Sequence, residues 1–477
     1  MNENKIIFKE FSNSEIYESD IVNIKFISNE LSYKTEFFDY DFNMGFRIKF
    51  HDCNNKYRVL ILDKNTRDVI NDIYIKPEEN VIYRTCKKYY IEYEIRVFKV
   101  NSFDIINPYP LKVIEFDVSE KDILILIAGD NSPAGLGDSI AWMSAAYQFK
   151  LLHPSINLYI HLAYPELEEV FKNKYSNLFN FIHYSEINNN SFYASYLCGC
   201  FFDDKRLDFC PIKYEKLSLI DQACHVLGFK FDDSKLLDVS IKEENENKPS
   251  PYVCLATHGS AIYKEWINFS CRDDIVCFLK DVLHYDVYSI DLKTTSKCGP
   301  LCETCISEYT IDSTGNIPLI ERVKMISNAD FFIGISSGLS WLAWICNVPV
   351  VLISGFTNPI TEFKTPYRII NTYECNSCWN DESIKWDMST TVCPRKDNNC
   401  FREDFLICSS SIKFYSVLSA TTGSFLAALR EGIIPEIKVK IILIAIKIIA
   451  TGMGSWALQL FIPVREWSIR FMGMQRR

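Results

Sequence analysis

The sequence predicts an α/β protein of two successive lobes, each built on a parallel sheet, behind a β-rich front segment. Three observations predict it. The apolar run Asp122-Ile123-Leu124-Ile125-Leu126-Ile127 passes through a glycine-rich turn, Ala128 to Asp138, into the helix-forming stretch Ser139 to Ala146. The pattern recurs where Phe331-Phe332-Ile333-Gly334 runs into Ile335-Ser336-Ser337-Gly338-Leu339-Ser340. Strand-like and helix-like stretches alternate around both, as parallel strands joined by helical crossovers require.

Residues 1–119 form the front segment. Gly45 to Phe50, Tyr57 to Leu62 and Tyr89 to Phe98 alternate with period two and read as strands. The segment carries no chemical constellation, and reads equally as a small β-barrel packed on the next domain or as an assembly or acceptor-docking module. Residues 120–247 form the first lobe, with strands at 122–127, Ile156 to Ala163 and Phe179 to Tyr184 and a helix over Pro165 to Leu178. Ile241 to Pro251, rich in Glu, Lys and Pro, is the best linker in the chain. Residues 248–372 form the second lobe. Its strands are predicted at Tyr252 to Thr257, Tyr285 to Asp291, Phe331 to Gly334 and Val350 to Ser354. Its helices are predicted at about Arg272 to Leu283, Pro318 to Ile326 and Trp341 to Cys346. A cysteine-rich finger, 373–408, and a helical extension, 409–477, complete the chain.

At 477 residues the chain has room for several domains. Its 48% hydrophobic and 23% charged content are those of a globular protein. A net charge of −10 argues against a nucleic-acid partner, because phosphate binding needs a positive surface. Met1 to Glu10 is polar and lacks a basic patch leading into an apolar core, so a cytoplasmic chain is expected. The 18 cysteines are then expected as reduced thiols or metal ligands.

The two strand-to-helix turns carry the chemistry. Glycines let backbone approach a ligand, and the unpaired N–H groups of a helix start suit an anion such as a diphosphate. One such turn is commonly just a helix cap. Two, in successive lobes, point to a cleft that takes a nucleotide-diphosphate ligand at the strand ends. Asp138 stands at the first helix start, as a cap or as a base for an acceptor hydroxyl. Cys375-Asn376-Ser377-Cys378, Cys393, Cys400 and Cys408 have metal-site spacing, and four thiolates suit zinc, the commoner occupant, or a single iron. Cys298, Cys302 and Cys305 read as loop thiols, with a metal site as the other reading. The tail stretch Glu436 to Ala450, apolar but interrupted by lysines, is short for a membrane span. It suits a helix lying on a membrane surface, on another subunit or on the body of the protein.

Gly135-Leu136-Gly137-Asp138, the run Ser336 to Trp344, Val348 to Phe356, Thr361 to Arg368 and the cysteine finger together resemble the bacterial autotransporter heptosyltransferases. The resemblance covers most of residues 40–408. It implies a GT-B-like pair of Rossmann-type lobes and an inverting transfer of heptose from ADP-heptose to serine hydroxyls of an autotransporter adhesin before export. By position, the resemblance makes Asp138 the general base and Lys264 the cation balancing the leaving diphosphate; without it, Lys264 is a surface lysine. Gly135, Leu136 and Gly137 line the donor phosphates, and Ser336, Ser337, Gly338, Leu339 and Ser340 hold the diphosphate from the second lobe. Glu321, otherwise a solvated helix-face charge, bonds the ribose or base. The wider ADP-heptose group commonly has an aspartate where this chain has Ser336, as fits the autotransporter branch. The resemblance further implies iron rather than zinc, held by Cys375, Cys378, Cys393 and Cys408, in a finger for assembly rather than redox chemistry. Cys400 also lies within reach, and the family's spacing selects Cys408. No redox cofactor is expected, and the family forms large ring-shaped homo-oligomers, a dodecamer by resemblance. Two alternatives stand beside this reading: the same fold using another nucleotide sugar, and a non-catalytic adhesin-binding or assembly protein.

Overall fold

A computed structural model describes residues 6–12, 15–18, 28–101, 106–128, 134–242, 250–259, 264–266, 269–297, 303–370 and 376–384. The extension 409–477, the thiols of Cys298 and Cys302, and Cys375, Cys393, Cys400 and Cys408 lie outside these residues. The front segment contributes β1 (Ile7–Ser12), β2 (Glu15–Glu18), β3 (Tyr33–Lys34), β4 (Phe38–Asn43), β5 (Arg47–Phe50), β6 (Lys56–Asp63), β7 (Val69–Ile75), β8 (Val81–Thr85), β9 (Tyr93–Val100) and β10 (Lys112–Glu115). The first lobe follows as β11 (Asp122–Ile127), α1 (Leu136–Leu152), β12 (Asn157–Leu162), α2 (Leu167–Tyr175), β13 (Asn180–Phe181), α3 (Tyr184–Ile187), β14 (Ala194–Cys198) and α4 (Leu219–Val226). The second lobe begins with β15 (Tyr252–Ala256), α5 (Phe269–Cys277), β16 (Asp286–Ser289), β17 (Thr295–Lys297), β18 (Glu303–Cys305) and β19 (Ile311–Asp312). It ends with α6 (Leu319–Ser327), β20 (Phe331–Ile335), α7 (Gly338–Ile345), β21 (Val350–Ile353) and β22 (Arg368–Ile369).

Both lobes are parallel α/β layers of the same plan. The first has strand order β13-β12-β11-β14, and the second β19-β16-β15-β20-β21-β22. In each, the chain builds outward from the first strand, then crosses to its other side. That leaves a crevice at the strand ends where the order reverses. β11 and β15 read as continuous apolar runs because both of their faces are covered.

The front strands divide in two. β6, β7, β9 and β10 form an antiparallel sheet of their own, while β4, β5, β8, β1 and β2 extend the first lobe's sheet. The join is the parallel pairing of β4 with β14, Phe42 beside Ala194. Phe42, Tyr93, Phe116 and Tyr193 pack over this join with ring centroids 4.8 to 6.3 Å apart. Next to it, Arg47 grips Asp41 with two charge-assisted bonds of 2.7 and 2.6 Å, both side chains fully buried.

One hydrophobic core runs from these rings through α1 to α6 and α7 of the second lobe, uniting Phe42, Trp142, Val323 and Leu342. The far face of the second sheet has a separate core around Trp266 and Ile333. Two elements differ from expectation. The strand predicted from Tyr89 begins only at Tyr93, since Tyr90 leaves the ladder to pack on Phe116 and Phe149. Helix α7 begins at Gly338 rather than Trp341, because Ser337 takes the extended cap conformation and the glycine becomes its first residue. Among the described residues no helix is long and apolar enough to cross a membrane.

Removing one partner of a buried ion pair strands the other charge. Asp41→Ala is therefore expected to cost about 3–5 kcal/mol in urea unfolding. A loss below about 1 kcal/mol, the ordinary scale of an exposed pair, would show that the β4–β14 join does not depend on it.

Candidate active site

The crevice of the first lobe opens where β11 ends and α1 begins. Gly135 caps α1 in an extended conformation, and its N–H donates to Asp138 Oδ2 at 2.9 Å. Asp138 thus closes the helix start, as the capping alternative required, with one oxygen. Burial pushes its carboxyl above the ordinary range, against the pull of the Lys264 charge and the Gly135 N–H. Lys264 lies just beyond β15 in the other lobe. Burial pushes its ammonium down, while Asp138 and then the Cys200 thiol pull it up. The Lys264 ammonium also sits 5.5 Å from the centroid of the Phe356 ring. The two residues of opposite charge therefore act on each other across the crevice.

The seam between the lobes is made by the two helix starts. A Cβ on Gly137 would meet the Trp341 ring at 2.7 Å, and one on Gly338 would meet Leu136 Cβ at 2.7 Å and the Gly137 nitrogen at 3.2 Å. Both positions demand glycine because backbone meets side chain there without a gap. Trp341 is fixed edge-on between Trp344 and Phe363, at 5.7 and 4.9 Å. With the N-terminal ends of α1 and α7 brought together, two sets of helix-start N–H groups share one space, which favours an anion.

Among the second-lobe residues, Ser337 caps α7, and its hydroxyl is buried with no hydrogen-bond partner. An orphaned hydroxyl at a helix start fits a ligand oxygen. Ser336 Oγ lies 3.2 Å from Thr357 Oγ1, and Thr357 in turn bonds the Glu362 carboxylate, which pairs with Arg368. Ser340 turns its hydroxyl to the Ile335 carbonyl within its own lobe, and Leu339 is half-buried beside it. Glu321 lies on α6, exposed and 2.7 Å from Lys324 on the same helix. The structure thus gathers Gly135, Leu136, Gly137 and Asp138 with Gly338 and Trp341 at one seam and sets Lys264 within electrostatic reach. It engages Glu321 elsewhere.

Three features were not singled out from the sequence. Asp291 accepts the backbone N–H groups of Thr257 and His258 at 3.0 and 3.1 Å, clamping the turn that leads to Lys264. His258 Nδ1–H donates to the Lys293 carbonyl at 3.3 Å, and its Nε2 is buried without a partner. Cys200, just beyond β14, donates to Gln222 Oε1 at 3.1 Å, and its thiol is pushed well up by burial and by Asp138. They are brought in by pairing of distant strands.

Of the finger cysteines, Cys378 is described and buried in the 3-10 turn Cys378–Asn380. That turn is held by Ser377 N–H to the Gly355 carbonyl at 2.7 Å and Trp379 N–H to the Phe356 carbonyl at 3.1 Å. Among the described residues no group of three metal-ligating side chains occurs.

Two facing α/β lobes whose helix starts frame an anion site, with a buried carboxylate and a lysine across it, define a two-lobed glycosyltransferase. No protein-family model matches the chain. It is 32% identical over 358 residues to the autotransporter heptosyltransferase Aah of Escherichia coli, covering 74% of this chain and 85% of Aah. The chain belongs to the autotransporter heptosyltransferases. Its structure is similar to that of TibC, an iron-containing dodecameric glycosyltransferase of enterotoxigenic E. coli H10407, with a TM-score of 0.71 at 28% identity, covering 83% of this chain and 97% of TibC. TibC in complex with ADP-D-beta-D-heptose matches with a TM-score of 0.69 at 27% identity, covering 84% of this chain and 98% of TibC. BimC of Burkholderia thailandensis, an inactive autotransporter heptosyltransferase, is 27% identical over 374 residues, 76% of this chain and 80% of BimC.

Overpacking a tight contact costs about 1–3 kcal/mol. Gly137→Ala and Gly338→Ala are each expected to lower stability by that amount and to part the lobes, read as a lower Tm and a larger radius of gyration in solution scattering. A Tm and radius equal to the parent's would show that the seam tolerates a methyl group.

Proposed function

We propose that this chain transfers heptose, with inversion, from ADP-heptose to serine hydroxyls of an autotransporter adhesin. The observation that carries the reading is the electrostatic pairing of Asp138 with Lys264 across the seam of helix starts. The serine hydroxyl gives its proton to the Asp138 carboxylate as its oxygen attacks the anomeric carbon on the face away from ADP. The bond from that carbon to the diphosphate breaks, and the new charge on the leaving oxygen is balanced by Lys264 and by the helix starts. Gly135, Leu136 and Gly137 line the phosphates from the first lobe. In the span Ser336 to Ser340, the N–H groups of Gly338 and Leu339 and the orphaned Ser337 hydroxyl hold them from the second. Glu321 bonds the ribose or base on release from Lys324.

Burial helps Asp138 as a base, since a raised pKa gives a stronger proton acceptor. Lys264 keeps it from rising too far. Four thiolates suit zinc or iron, and the likeness to TibC, an iron-containing protein, favours iron at Cys375, Cys378, Cys393 and Cys408. The buried, backbone-anchored Cys378 fits one corner of such a site, and the metal would supply a structural cross-link in the finger. A large ring-shaped homo-oligomer is proposed on the same likeness. A reaction in the reducing cytoplasm, ahead of export, belongs to the same reading. The presence of both Asp138 and Lys264 favours a working enzyme over a scaffold of the inactive kind.

The test is intact-mass analysis of a serine-rich adhesin fragment incubated with ADP-heptose. A gain of heptose mass is expected with the parent chain, and its absence with folded protein would overturn the donor assignment. Asp138→Asn is expected to lower transfer by about 10²–10⁴-fold. It should also lower Tm, since Lys264 is left without its buried partner; unchanged transfer would move the base elsewhere. Lys264→Met should lose roughly 100-fold, mainly in kcat; a change confined to the KM for donor would limit Lys264 to ground-state binding.

The base works ionised and its pKa is raised above 3.8. Transfer should therefore fall as pH drops through a value above the ordinary carboxylate range. A profile flat down to pH 4 would contradict the raised pKa.

A further inference from the structure

Beside the seam, on the first-lobe side alone, lies a small cleft of about 160 Å³ between the loop after β14 and the turn leading into α4. That volume is below the usual range for a small-molecule site and admits a side chain of a larger partner. We infer that this cleft is the acceptor subsite, taking an extended serine-bearing polypeptide segment whose hydroxyl reaches Asp138. This rests on the glycosyltransferase reading above.

Position comes first. The cleft opens at the end of β14, which pairs in parallel with β11, so it shares a sheet edge with Asp138. Gln222 in its lining accepts the Cys200 thiol at 3.1 Å, and the Cys200 thiol feels the charges of both Asp138 and Lys264. The cleft and the base are therefore neighbours, and the donor-facing helix start of α7 belongs to the opposite lobe.

Chemistry comes second. A nucleotide or other polyanion would need a net positive wall. Here the lining lysines Lys205 and Lys213 are matched by the lining carboxylates Asp204 and Glu215, Lys213 also pairs with Glu382 at 2.6 Å, and Asp204 accepts the backbone N–H groups of Asp208, Phe209 and Cys210. Beside these balanced charges the lining offers aromatic surface and a carboxylate acceptor atom. Phe202, 45% exposed, stacks edge-on to Tyr214 at 5.1 Å and to Trp379 at 5.8 Å. Glu215 lines the cleft with its Oε2 buried and lacking a well-formed hydrogen bond. Rings that flank chain segments, with an acceptor for a peptide N–H or a hydroxyl, suit a neutral polypeptide rather than a charged small molecule. Trp379 also ties this wall to the start of the cysteine finger, so finger and acceptor cleft share a side.

The test is anisotropy titration of a fluorescently labelled serine-rich adhesin fragment against the full chain with ADP present, in parallel with the transfer assay. Phe202→Ala and Glu215→Ala are each expected to raise the fragment's Kd at least tenfold, while the KM for ADP-heptose stays within threefold. Phe202 is at the surface, so its truncation spares the fold, and Tm checks both variants. An unchanged Kd in both, a parallel loss of donor affinity, or a parent chain that does not bind the fragment would overturn the assignment. If the parent chain binds the fragment through these residues but transfers no heptose, the cleft stands and the glycosyltransferase reading falls.

Discussion

The contact of two helix starts across the seam is the constraint on which the rest of the molecule depends. Gly137 lies against the Trp341 ring, and Gly338 lies against Leu136, at distances that leave no room for a Cβ at either position. Trp341 can press that closely only because Trp344 and Phe363 hold its ring. The seam orients the two sheets so that their reversal points face each other. It also brings the unpaired N–H groups of α1 and α7 to one place, where neither helix alone would offer more than an ordinary cap.

On that geometry rests an opposition of charges. Burial disfavours the ionised form of both Asp138 and Lys264, and each pulls the other back toward its ionised form. The arrangement costs stability, as buried charges do. It places a carboxylate and a lysine on opposite sides of one cleft, as the proposed transfer of a proton off one oxygen and of charge onto another would use. Asp291 and Phe356 support it from behind. The first clamps the turn that leads to Lys264, and the second supplies a ring beneath its ammonium.

Much of this was legible in the sequence where the signal is local. The run Asp122 to Ile127 could only be a strand covered on both faces, and a glycine turn followed by small and apolar residues could only lead into a helix. The same reasoning placed β15, β20 and β21 to within a residue or two. Local signals failed where a glycine has two uses. Gly338 reads as a turn residue, yet it is the first residue of α7, because the approach of Leu136 forbids anything larger. They also could not decide between capping and catalysis for Asp138, since one carboxylate oxygen caps and the choice concerns the other.

Non-local pairing was not legible at all. The front strands show alternation, but nothing in them announces that Phe42 lies beside Ala194, or that half of them continue the first lobe's sheet. Cys200, Gln222 and Glu215 are unremarkable in sequence and meet only because β14 returns beside β11. The central claim is that Asp138 and Lys264 act as one unit across the seam. A double-mutant cycle on kcat/KM for heptose transfer, with Asp138→Asn, Lys264→Met and the double variant, measures it directly. Strong non-additivity is predicted, the double variant being little worse than the poorer single one. Effects that multiply independently would show that the two residues serve separate tasks.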